Sequence, residues 1–235
     1  MDYFRNLMLA SLAKADLEIL RPHLETVELT LGQIIFHPGS DIDYVYFPYS
    51  GIVSVIVATP DNRRLEVGIY GRDGIGGTPI LLNATRIPYL HLTQQAGSAG
   101  RISAETMRTL LVQSPTLLAS LLKHVQVFSV QVAYTALANG SFVIEERLAR
   151  WLLMCRDRLD TNILTLTHEF LSMMLAVRRS GVTEAIHSLE GRGLIRASRG
   201  RVEILDRARL VEMAGQSYGA PEREHTALIG PWLDH

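Results

Sequence analysis

Three different rhythms of apolar and polar residues run along the chain. Residues 5–22 place apolar positions at helical spacing and stop at Pro22, which predicts one or two short amphipathic helices. Between residues 24 and 108 the runs shorten and turn β-rich: VELTLGQIIFHPGS, YVYFPYSGIVSVIVAT, LEVGIYG and YLHLTQQAGSAGRIS. Turn residues punctuate them at Pro38-Gly39, Ser50-Gly51, Asp61-Asn62, Gly71 and Asp73-Gly74. Many short strands between turn signals predict a β-barrel or sandwich, with a hairpin at Asp61-Asn62. From Ala104 the rhythm is helical. Leu111, Leu118, Leu121, Val125, Phe128, Val132 and Thr135 keep steps of three and four, with Ser114 in the one polar gap. Lys123 is the only charged residue between Arg108 and Glu145. A helix this apolar buries more than one side. It packs on its own β domain alone, or it also forms a dimer seam through Leu118, Leu121, Val125, Phe128 and Val132.

Asn139-Gly140-Ser141 is expected to break that helix and mark a domain boundary. FVIEERLARWLLMCRDRL predicts the next helix, with Phe142, Leu148, Trp151, Leu152 and Cys155 on its apolar side. Beyond it, LTHEFLSMMLAVRRSGVTEAIHSLEGRGLIRASRGRVEILD reads as helix, turn, helix and a two-stranded hairpin. Thr167 suits an N-cap, and helices over about 168–175 and 178–191 follow. Val182, Ile186 and Leu189 face inward. Arg179, Ser180, Thr183, Glu184 and His187 face outward, with Arg178 near the backbone at the helix start. Ala176 in the turn predicts a conformation that avoids the left-handed region. The expected division is a β domain with its N-terminal helices over 1–110, a dimerisation helix over 111–140, a helix-turn-helix domain over 141–215 and a tail over 216–235. The tail either docks on the body through Trp232 or stays disordered; Leu233 completes its apolar pair.

Charge sharpens this picture. The whole chain is at −1, but residues 178–201 carry six Arg against two Glu. Positive charge is local to one motif, as expected of a footprint on a phosphate backbone, though a plain solvated face would also carry a few arginines. No run of 18 apolar residues occurs, and the N-terminus lacks a signal-peptide layout. The reading is a cytoplasmic protein with no membrane partner. One cysteine, Cys155, excludes an internal disulfide and leaves no cluster for iron–sulfur or structural zinc. It is expected to be a buried, inert thiol. No GxSxG, HExxH, Walker loop or CxxC is present, so no catalytic residue, metal or enzyme activity is assigned.

The stretch SGVTEAIHSLEGRGLIRASRGRVEILDRARL resembles the winged helix-turn-helix of the Crp/Fnr transcription regulators, and LGQIIFHPGSDIDYVYFPYSGIVSVIV resembles the opening strands of their cyclic-nucleotide-binding β-roll. The resemblance spans about residues 20–212. It implies an α+β fold: an N-terminal double-stranded β-helix or jelly roll, a long dimerisation helix and a C-terminal winged helix-turn-helix. It also implies a homodimer that binds palindromic double-stranded DNA, contacts RNA polymerase if it activates, and senses a small-molecule effector. The DNA-binding residues implied are Thr167, Arg178, Arg179, Ser180, Thr183, Glu184, His187, Arg196, Arg199 and Arg201. The effector pocket falls on Gly76, Gly77, Thr78 and Arg86. Gly77 stands where cyclic-AMP-sensing members have a Glu for the ribose, so no cyclic nucleotide or other cofactor is assigned and the effector is unidentified. His37, His91 and His124 are the candidates should a haem serve instead. Glu184 stands where the best-known members have Arg, which predicts a different half-site. The alternative function is a signalling scaffold that uses the roll for a ligand and the winged helix for protein contacts.

Overall fold

The computed structural model describes residues 2–61 and 63–232. The N-terminus forms two short helices, α1 (Leu7–Ala10) and α2 (Lys14–Leu20), flanked by 3-10 turns. Among the described residues seven antiparallel strands follow: β1 (Glu25–Leu29), β2 (Ile34–Phe36), β3 (Tyr44–Pro48), β4 (Ile52–Ala58), β5 (Arg64–Tyr70), β6 (Leu90–Gln95) and β7 (Gly97–Ser103). They pair as two sheets, β1-β7-β3 and β2-β6-β4-β5, which is the expected roll. Asn62, half of the expected hairpin turn, lies outside the described residues. Asp61 beside it accepts from Arg63 Nε at 2.7 Å, and the backbone closes from Thr59 to Arg63 at 2.9 Å.

Two helices leave the roll, α3 (Ala104–Gln113) and α4 (Pro115–Ser141). The expected seam therefore starts one helix too early at Leu111, because Pro115 cannot donate its N–H and opens a new helix capped by Ser114. α4 runs about 40 Å at 1.5 Å per residue. It does not break at Asn139-Gly140. Glycine costs a helix only about 1 kcal/mol, and the chain leaves helical geometry at Phe142, with φ −116° and ψ 148°. α5 (Ile144–Asp157) begins there, the Glu146 carboxylate accepting from the Val143 N–H at 3.0 Å.

α4 is long and apolar enough to cross a membrane by length and composition alone. It lies instead along the roll and commits its polar groups there. Gln131 donates to the Ile69 carbonyl at 3.1 Å and accepts from the Ile69 N–H at 2.7 Å, closing the free edge of β5. The two can meet only because Gly68 has no side chain: a Cβ there would lie 2.8 Å from the Gln131 Oε1. Leu121 is 0% exposed against the chain's own core, which corrects its placement in an inter-chain seam. Leu118, Val125 and Phe128 are half-buried against the roll, and Val132 is half-buried. The side of α4 turned to solvent carries Ala119, Lys123, Gln126, Ala133 and Leu137.

The C-terminal domain adds β8 (Ile163–Thr165), α6 (His168–Leu175), α7 (Arg179–Gly191), β9 (Ile195–Ser198), β10 (Arg201–Ile204), α8 (Arg207–Ala214) and α9 (Ala220–Leu228). Its strands form a small sheet in the order β8-β10-β9. One continuous apolar cluster joins this domain to the roll: Ile52, Ile56 and Ile69 pack with Trp151, Leu152 and the helix-turn-helix core. β4 is buried on both faces for that reason, so the sequence boundary near residue 141 is no gap in the packing. The tail is ordered through Trp232. α9 lies on α4, and Trp232 sits edge-on to His225 at 4.9 Å.

The turn between α6 and α7 departs from expectation. Ala176 adopts φ 49°, ψ 45°, the left-handed region that a Cβ disfavours by about 1–2 kcal/mol. The residue is exposed and its side chain contributes no packing. Ala176→Gly is therefore expected to stabilise the chain by about 0.5–1 kcal/mol after glycine's own entropy cost. Calorimetry should show a melting temperature higher by roughly 1–4 °C, and a lower one would refute the strain.

Candidate nucleic-acid interface and sensor cassette

Thr167 opens α6 as expected, its Oγ1 accepting from the Phe170 N–H at 3.1 Å. Glu169 follows in the first turn, where its charge suits the helix dipole. α7 is amphipathic: Val182, Ala185, Ile186 and Leu189 are buried, while Arg179, Ser180, Glu184 and His187 are exposed and Thr183 is half-buried. Arg178 precedes it in extended geometry and makes no side-chain cap, so the helix start keeps unsatisfied N–H groups beside a guanidinium. Arg179 pairs with Glu169 at 2.9 Å across the turn. The Thr183 hydroxyl donates to the Arg179 carbonyl at 3.0 Å and stands 3.3 Å from His168 Nδ1.

β9 and β10 form the wing. Ser198 pairs with Arg201, leaving Arg199 and Gly200 as a two-residue turn in which Gly200 takes φ 71°. Arg196, Arg199 and Arg201 are exposed; Arg196 reaches Glu203 at 3.6 Å, whereas Arg178, Arg199 and Arg201 have no ion pair among the described residues. Sequence reasoning missed what holds the wing in place: the Glu190 carboxylate of α7 accepts from the Ala197 N–H at 2.7 Å. Between α7 and the wing runs an open groove of about 790 Å³, with His168, His187, Ser198 and Arg199 on its walls. One face of the domain thus presents exposed guanidinium groups, with Arg199 on the wall of the groove, and the inward face of α7 is core.

The cassette is built differently from what the resemblance implies. Gly76 pairs its backbone both ways with Tyr46, at 2.8 and 2.9 Å. Gly77 takes φ 86° and leads into a 3-10 turn over Thr78–Leu82, so its glycine serves the backbone. Arg86 is not turned toward them. It is largely exposed and pairs with Asp41 at 3.3 Å. An exposed partner of opposite charge and full hydration favour the outside of the roll for a guanidinium. Aromatic rings fill the roll beside Gly76. Tyr70 Oη lies 3.1 Å from His91 Nδ1, and Phe36 stands edge-on to both His91 and Tyr46. A Cβ on Gly76 would lie 2.4 Å from Tyr70 Oη. Burial lowers the His91 pKa to about 3 and keeps the ring neutral. His124 is also buried, pushed down to about 4, and its Nε2 accepts from the Ile75 N–H at 3.2 Å. His37 is exposed. Among the described residues no group of three or more His, Cys, Asp or Glu is placed to hold a metal ion.

Polar contacts between roll and C-terminal domain were invisible in the sequence. Arg158, 2% exposed, grips Asp73 with two hydrogen bonds of 2.9 and 2.6 Å. Burial alone would raise the Asp73 carboxyl, but the Arg158 charge and the Gly71 amide outweigh it and hold its pKa below the usual carboxylate range. Glu66 of β5 accepts from the Trp151 indole N–H at 2.6 Å, and among the described residues its second oxygen is buried without a hydrogen bond of good geometry. Burial pushes the Glu66 pKa up to about 7. A cavity of about 20 Å³, room for one water molecule, adjoins it between Thr135, Arg147 and Arg150. Cys155 is buried as expected, accepts from Gln94 Nε2 at 3.4 Å, and has its thiol pKa pushed well up by burial.

Residues 26–114 match the cyclic nucleotide-binding domain, and residues 146–213 match the Crp-like helix-turn-helix domain. The chain belongs to the Crp/Fnr family. Solved structures share the fold of this Crp/Fnr protein over most of its length. FixK2 from Bradyrhizobium japonicum is 16% identical with a TM-score of 0.70, covering 82% of this chain and 98% of that one. A CRP/FNR-family transcriptional regulator from Thermus thermophilus is 22% identical with a TM-score of 0.66, covering 83% of this chain and 100% of that one. The c-di-GMP responsive global regulator CLP from Xanthomonas campestris is 18% identical with a TM-score of 0.66, covering 83% and 100%. Lysophospholipase nte1 from Neosartorya fischeri is 29% identical over 69 residues, which are 29% of this chain and 4% of the fungal protein. The Crp/Fnr protein therefore has the fold and the two domains of a transcription regulator.

Proposed function

We propose that this Crp/Fnr protein is a cytoplasmic, homodimeric, sequence-specific DNA-binding regulator of transcription, and that it is not an enzyme. The observation that carries the reading is the exposed face of α7 and the wing, where Arg178, Arg199 and Arg201 have no ion pair among the described residues and Arg199 lines an open groove. A two-stranded wing and an amphipathic helix with an unsatisfied, cationic N-terminus match the needs of a helix laid in a major groove. Arg178, Arg196, Arg199 and Arg201 supply phosphate contacts, which set affinity but not sequence. In this reading Arg179 exchanges Glu169 for a guanine, and Glu184 accepts from cytosine N4. The dimer forms along the side of α4 that carries Ala119, Ala133 and Leu137, flanked by the half-buried Leu118, Val125 and Val132. We assign the roll an effector other than cyclic AMP, because Arg86 faces solvent and Tyr70 and His91 fill the interior beside Gly76.

Selection from randomised DNA tests this reading. The expected result is a palindrome with half-sites about 10 bp apart, each containing a C that Glu184 reads. Glu184→Ala should relax that one position by about 1–3 kcal/mol and leave the others unchanged. No enrichment over competitor DNA would refute DNA reading and favour a winged helix used for protein contacts.

A further inference from the structure

The loop Gly71–Gly76, which leads into the cassette, is held from four directions. Leu7 donates its N–H to the Arg72 carbonyl at 2.7 Å, and Asn6 Nδ2 donates to the Gly74 carbonyl at 3.0 Å, so the N-terminal helices hold one side. His124 of α4 accepts from the Ile75 N–H at 3.2 Å. Beyond the end of α5, Arg158 grips Asp73, and Asp160 receives Arg72 at 2.7 Å. Tyr46 of β3 takes both backbone groups of Gly76. The packing leaves no slack. A Cβ at Gly71 would lie 2.8 Å from the Gly51 carbonyl and 3.3 Å from Arg158 Cβ, and one at Gly74 would lie 2.6 Å from His124 Cε1. Arg158 is fixed in its turn. Its Nη1 donates to the Met154 carbonyl at 2.7 Å, and the Trp232 ring from the tail covers its guanidinium at 5.4 Å.

We infer that the loop Gly71–Gly76 is the joint through which a change in the cassette reaches the winged helix, with Asp73 as the positioning residue and Arg158 as its contact. A bidentate, buried fork has one good geometry, so a shift of Asp73 must move Arg158 or break the pair. Arg158 lies one residue past the end of α5, and α5 packs on α7 and α8. The tail then acts as a strap, because Trp232 closes over the same guanidinium. The inference uses the DNA-binding reading only for its output, and the joint itself can be tested without DNA.

The test is amide hydrogen exchange on the full chain and on the variants Asp73→Asn and Arg158→Lys; lysine keeps the charge but cannot make the fork. Without DNA, both variants should lose protection by about tenfold over residues 154–175, with β1 and β7 unchanged. A loss confined to residues 71–76, or spread evenly over the chain in both variants, overturns the inference. With DNA selected by the wild-type chain, both variants should shift the Kd by about tenfold, and an unchanged Kd also overturns it. If the wild-type chain selects no DNA, the exchange arm still decides the joint and only the DNA-binding reading fails.

Discussion

Replacing Arg199 and Arg201 together with alanine should weaken DNA binding on the order of 10³-fold at 0.1 M salt. In a dimer the change removes four phosphate contacts, each contributing about 0.9 to the slope of log K against log salt and so about 0.9 decade at that concentration. The slope itself should fall by about 3.6. Both residues sit exposed at the tip of the wing, away from the core, so the melting temperature should stay where it was. The measurement is a fluorescence-anisotropy titration at several salt concentrations. A slope equal to that of the wild type would show that these guanidinium groups meet no phosphate, whatever happens to affinity.

The second large effect concerns stability, and it comes from Glu66. Its carboxyl is buried against Trp151 and its pKa is raised from 4.5 to about 7. A raised carboxyl favours the folded state only while protonated. Its contribution is full below about pH 4.5 and is lost as pH rises to about 7. The loss amounts to on the order of 3 kcal/mol at 1.36 kcal/mol per pKa unit. Arg150 stands nearby but donates to the Ser217 carbonyl and the Thr135 hydroxyl, so it gives Glu66 no hydrogen bond. Glu66→Gln keeps an acceptor for the Trp151 indole and cannot ionise. At pH 8 the variant should melt roughly 6–10 °C above the wild type, and the gap should close toward pH 4. Parallel melting curves at both pH values would mean that the carboxylate is solvated or paired in solution.

What the sequence disclosed was local. The α6 and α7 boundaries, the Thr167 cap, the inward set Val182, Ile186 and Leu189, and the two-stranded hairpin after α7 all depend on neighbours within a few residues, and each was legible. Strand punctuation by Gly and Pro gave the roll in the same way. Features that join distant parts were not legible. Asp73 and Arg158 are 85 residues apart, as are Glu66 and Trp151, and no spacing rule links them. Gly140 and Ala176 failed in the other direction, since a local preference of only about 1–2 kcal/mol does not decide where a helix ends or how a turn is shaped. α4 was readable as apolar but not by facing. Leu121 falls in the repeat of steps of three and four, yet the roll claims it because Gln131 and His124 fix the rotation of the helix. Arg86 was readable as a cation but not by facing, because Asp41 beside it offers a partner on the outside.

The buried thiol of Cys155 has a practical consequence. It is the only cysteine in the chain, and it lies inside the helix core with its pKa pushed up. A cysteine introduced at the exposed Arg192, just past the end of α7, would then be the one group that a maleimide or nitroxide reagent attacks. In the proposed dimer, two copies of such a probe would turn the separation of the two α7 helices into a distance read by electron spin resonance, in solution and with no need for a crystal.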